Sequence, residues 1–201
     1  MTTNANIPTA QASAGAPRYF MDSYLRPGTE QFHQYQLVAT DSPNHCGPFS
    51  AAMAVNIVTG QPVVTGLQIA GLLTKNFIEW KSLLPRINRF PPRAYTFPGA
   101  IANFLRRDGV NARAHVFGSL GQLRASLLAG RVPVVLHGEP FRFEGLRWKG
   151  WSHWKVVVGY TPTQFLFQDP WLKDPQPVAG DIVEFDRYWR NMLRAWVDVG
   201  R

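Results

Sequence analysis

The chain has 201 residues and a mass of 22.6 kDa; hydrophobic residues make up 45% and charged residues 17%, which excludes a disordered chain and a miniprotein held by metals or disulfides. Lys and Arg total 21 against 13 Asp and Glu, a net charge of +8, which bears on anionic partners and not on fold. The single cysteine, Cys46, excludes an internal disulfide and a zinc site of several thiolates.

Residues 1–17 lack the basic start and apolar run of a secretory signal, so they read as a disordered tail and the protein as cytoplasmic. Residues 47–74 carry no charge, yet Asn56, Gln61, Pro62 and Gln68 interrupt them with groups costly in lipid, and no membrane span is expected. Within CGPFSAAMAVNIVTG, Pro48 suits the first turn of a helix and Gly60 supplies its stop, which predicts a helix starting at about Cys46. A short helix is expected over 66–74, then loops and turns through the prolines up to Pro98, then a helix over 98–107 ending at Asp108-Gly109. ARAHVF reads as a strand, and SLGQLRASLLAG as a helix with Ser119 as its N-cap and Gly130 beyond its end.

From residue 132 the pattern turns to strands, at 132–137, 153–160 and 165–169, with a late helix in DRYWRNMLR and a last strand in AWVDV. No repeat and no linker divides the chain, so residues 18–201 are expected to form one α+β domain, helices first and antiparallel sheet second. EPFRFEGLRWKGWSHW reads either as an aromatic loop walling a cleft or as a hairpin packed on itself; in the first case Trp148, Trp151, Trp154 and Trp171 gather near the site. The segment 75–113 has a net charge of +6 with interleaved aromatics. It suits an acidic partner, although a solvated basic face is the simpler reading and nucleic acid is not expected.

A lone cysteine is ordinarily a small buried hydrophobe. Placed at a helix N-terminus, Cys46 has the positive end of the dipole beside it, which favours thiolate, and Gly47 leaves room for a substrate backbone. A thiolate nucleophile needs a base. Of five histidines, His153 is preferred because it opens an apolar strand, and His137, at a strand end, comes next. The strands at 153–160 and 165–169 are joined by Thr161-Pro162-Thr163-Gln164, so hairpin arithmetic sets His153 opposite Asp169, Pro170 or Trp171 and nominates Asp169 to orient the imidazole. The Cys46 backbone N–H supplies one oxyanion donor, and Gln34, Gln36 or Asn44 a second. No Gly-rich phosphate loop follows a strand, and no close Cys/His spacing suggests a zinc site, so neither cofactor nor metal is expected.

Gln36, NHCGPFSAAM, GRVPVVLHG, WSHWKVVVGY and FLFQDPW, in this order, resemble the cysteine peptidases that process double-glycine bacteriocin leaders, and their free-standing relatives, within the papain-like superfamily. The resemblance spans roughly residues 30–171 and departs at Phe49 and in the basic, Pro-rich segment 75–98. It implies a papain-like fold whose N-terminal helical half carries Cys46 as nucleophile. The C-terminal sheet would carry His153 as general base and acid and Asp169 as its orienting group, with Gln36 as oxyanion donor. The implied function is a thiol hydrolase acting on a peptide or protein substrate, without cofactor. An acyltransferase using the same residues, or a non-catalytic module binding a peptide, an acidic partner or nucleic acid, are the alternatives.

Overall fold

The structure, a computed structural model, describes residues 23–37, 45–71, 96–145 and 147–201. The expected tail, Asn44, most of the basic Pro-rich stretch and the side chain of Trp148 lie outside the described residues. Its strands are β1 (Tyr24–Leu25), β2 (Asn111–His115), β3 (Val132–Glu144), β4 (Arg147–Tyr160), β5 (Gln164–Gln168), β6 (Val178–Asp181) and β7 (Trp196–Gly200). The helices are α1 (Cys46–Thr59), α2 (Pro98–Arg107), α3 (Leu120–Leu128) and α4 (Ile182–Asn191), with a helical stretch at 66–71. Six strands run in the order β2-β7-β3-β4-β5-β6, β1 pairs with the end of β4, and every pairing is antiparallel.

Period-two alternation gives the sheet two apolar faces. Val132 and Val134 of β3, Trp154, Val156 and Val158 of β4, and Val197 and Val199 of β7 pack with α1 and α2. Val135, Val157, Phe165, Phe167 and Trp196 pack with α3 and α4. The sheet is therefore the middle of three layers. Every residue of α1 from Gly47 to Val58 is buried, which is why that stretch carries no charge: a helix apolar on all sides is a core helix. Phe49 fits because Gly66 gives way to it; a Cβ at Gly66 would lie 2.3 Å from the ring.

Of the two readings of EPFRFEGLRWKGWSHW the structure has the hairpin: the stretch is the tip of β3–β4, turning at Gly145 with φ 61°. Pro140, which cannot donate to a ladder, sits where the register shifts between Glu139 and Arg142. Consequently β4 begins at Arg147, and His153 lies in mid-strand instead of opening it.

Candidate active site

Cys46 is the first residue of α1, and no side chain caps that helix end. One turn along, Ser50 Oγ donates to the Trp154 carbonyl at 3.1 Å, and Trp154 Nε1 donates to the Thr96 carbonyl at 3.1 Å. These two bonds fix the start of α1 against β4 at the residue next to His153. The space beside Gly47 is already filled: a Cβ there would meet Thr96 at 3.0 Å and Trp154 at 3.2 Å. Gly47 thus serves helix–sheet packing, which corrects the expectation that it leaves room for substrate.

His153 Nε2 hydrogen-bonds Asp169 Oδ1 at 2.6 Å, and the Cys46 thiol is near enough to the imidazole to act on its protonation. Burial pulls the imidazole down, but the Asp169 carboxylate and the Cys46 thiol outweigh it and hold His153 at about 9. Burial works against ionisation of Asp169 as well. The His153 bond and charge, the Lys155 ammonium and the Trp171 N–H, which donates to Oδ1 at 2.9 Å, nevertheless keep the carboxyl well below the usual range. The Trp171 ring stands edge-on to His153 with centroids 6.3 Å apart.

The β4–β5 register pairs Val156 with Gln168, so its continuation sets Asp169 opposite Lys155 and diagonal to His153. One carboxylate oxygen goes to each: Lys155 Nζ lies 3.1 Å from Oδ2. Sequence reasoning missed Lys155. The signal was its position two residues after His153, on the same strand face.

His137 pairs directly with His153 across β3 and β4, its ring 5.9 Å away. Burial, the Lys155 charge and the His153 charge push it down to about 3, so it is neutral, and its Nε2 is buried without a hydrogen-bond partner. Gln36 is fully buried, and its backbone N–H donates to the Pro170 carbonyl at 2.9 Å, next to Asp169. Gln34 is committed elsewhere: its amide donates to the Val64 carbonyl at 3.0 Å and accepts from Gly66 N–H at 2.7 Å. Trp154 is buried beneath the site, whereas Trp151 and Trp171 are exposed beside it.

No protein-family model and no curated protein matches the sequence. Solved structures do. A protein described as a C39-like peptidase from Bacillus anthracis superposes with a TM-score of 0.61 at 16% identity, covering 84% of this chain and 94% of its own. A cysteine protease from Carica candamarcensis superposes with a TM-score of 0.50 at 14% identity, covering 90% of this chain and 99% of its own. The fold is that of the papain-like cysteine peptidases. In this fold His153 hydrogen-bonds Asp169, the Cys46 thiol acts on the same imidazole, and the Gln36 N–H donates to the carbonyl of Pro170, the residue after Asp169. No helix among the described residues is long and apolar enough to cross a membrane.

Proposed function

We propose that the protein is a thiol hydrolase that cleaves a peptide or amide bond through an acyl-enzyme on Cys46. The observation that carries this reading is the imidazole of His153, hydrogen-bonded to the Asp169 carboxylate at 2.6 Å and acted on by the Cys46 thiol at the start of α1. Such an imidazole takes the thiol proton and is stabilised as imidazolium by the carboxylate that fixes its ring. The sulfur attacks the substrate carbonyl carbon, and the carbonyl electron pair moves to oxygen. The uncapped N–H groups at the start of α1 and the Gln36 side-chain amide stabilise that oxyanion. Collapse breaks the C–N bond, His153 returns its proton to the leaving amine, and a thioester remains on Cys46. Water, deprotonated by His153, then releases the acid and regenerates the thiol; an amine in place of water would make the same machinery an acyltransferase.

The test is iodoacetamide alkylation of Cys46, the sole thiol, followed from pH 4 to 10 in the native protein and in His153→Ala, together with casein hydrolysis. Alkylation that persists at pH values where a free thiol (about 8.5) is largely protonated, and that disappears in His153→Ala, supports the reading. So does casein cleavage that falls by about 10³-fold or more in Cys46→Ala. A thiol that reacts alike in both proteins overturns it.

A further inference from the structure

Behind the His153–Asp169 pair, between β3–β6 and α4, lies a cavity of about 180 Å³. That is well below the roughly 300–1,000 Å³ of pockets enclosing whole small-molecule ligands and close to the roughly 150 Å³ that takes up a benzene-sized group. It has room for one side chain.

Its walls are aromatic: Trp151, Phe167, Phe185 and Tyr188. Its charged groups are one ammonium, Lys155, against three carboxylates, Asp169, Asp181 and Glu184, while the neighbouring His137 is neutral. A net-negative cavity in a chain of net charge +8 attracts cations. Lys155 and Asp169 already satisfy each other at 3.1 Å, which leaves the surplus negative charge on Asp181 and Glu184. Asp181 Oδ1 is occupied by the first amides of α4. Glu184 holds only a 3.8 Å contact with Arg187, and both side chains are largely exposed, a pairing worth little in water.

The chain's own cations show what these walls accept. The Lys155 ammonium lies 5.6 Å from the Phe167 ring centroid, and the Arg187 guanidinium lies 4.6 Å from that of Tyr188. Aromatic faces beside carboxylates whose charge is only weakly paired favour a cation carried on an aliphatic stem.

We propose that this cavity binds one basic side chain, the guanidinium or ammonium of an arginine or lysine, belonging to the peptide that the enzyme cleaves. That the side chain comes from a substrate rests on the hydrolase reading; the binding itself does not.

The two parts are tested separately. Nα-acetyl-arginine methylamide and its neutral isostere Nα-acetyl-citrulline methylamide are titrated calorimetrically into the full-length Cys46→Ala protein, which cannot turn over. The arginine compound should bind in the millimolar range, the citrulline compound at least tenfold more weakly, and Glu184→Gln and Tyr188→Ala should each weaken arginine binding at least threefold. Absence of binding at 20 mM, or equal binding of the two compounds, overturns the pocket. The source is read from casein cleavage sites mapped by mass spectrometry. Lys or Arg should be enriched at one fixed position from the cut, and the enrichment should fall at least threefold in Glu184→Gln. Arginine binding with casein cut but no such enrichment overturns the substrate assignment. Arginine binding with no Cys46-dependent cleavage overturns the hydrolase reading and leaves the cation pocket standing.

Discussion

At the level of single residues, Asp169 divides its charge between His153 and Lys155, and its variants should separate the two partners. Asp169→Asn keeps an oxygen for the Trp171 N–H but removes the charge that offsets burial of the imidazole. The His153 titration, followed by its Cε1 proton signal, should then fall well below about 9. Lys155→Met acts in the opposite direction: with Oδ2 released, the full carboxylate charge falls on His153 and its midpoint should rise, whereas Lys155→Arg should restore it. An unchanged midpoint in Lys155→Met would show that the ammonium has no hold on the pair. This arrangement could not be read from the sequence alone. Hairpin arithmetic brought Asp169 within reach of His153, but which residue it faced depended on the register, and one residue of slip exchanges the faces. The space beside Gly47 was misread for a related reason, since its occupants, Thr96 and Trp154, come from distant parts of the chain.

Among the elements, those with chemical punctuation were legible and those defined by partners were not. Ser119 and Gln122 close a capping box at α3, and Gly60 ends α1 in a left-handed conformation with φ 72°; both are local signals. β1 has two residues and β6 four, and each exists by pairing with β4 or β5, so neither announced itself. The hairpin carrying His153 depends on a close approach of its arms. A Cβ at Gly138 would lie 2.0 Å from the Trp151 carbonyl oxygen and 2.8 Å from Ser152 Cα. Because the obstacle is backbone, Gly138→Ala should force β3 and β4 apart beside the His137–His153 pair. A loss of about 2–4 kcal/mol in urea unfolding is expected, with hydrolysis falling further than the folded fraction. A variant as stable and active as the parent would show that the strands can separate there without consequence.

For the molecule as a whole, two imidazoles set opposing limits on stability. His137 is held at about 3 when folded against 6.5 when unfolded, so below pH 6.5 the unfolded chain binds a proton that the native protein refuses. Stability therefore falls as the pH drops, by about 2 kcal/mol at pH 5. His153 is raised to about 9, so its contribution is fully present below pH 6.5 and is lost as the pH climbs through 9. Urea midpoints at pH 5, 6.5 and 9 should peak at the middle value, and His137→Leu should flatten the acid side alone. A His137→Leu profile that still falls below pH 6.5 would place that penalty elsewhere. The sheet lies between two helical layers, and the segment leading towards α1 is fastened to the far end of the site by the Gln36 N–H bond to the Pro170 carbonyl. That one amide proton is a built-in reporter. Its rate of exchange with deuterated solvent measures how often this clasp opens, and a peptide lodged across the clasp would slow it without any change elsewhere in the fold.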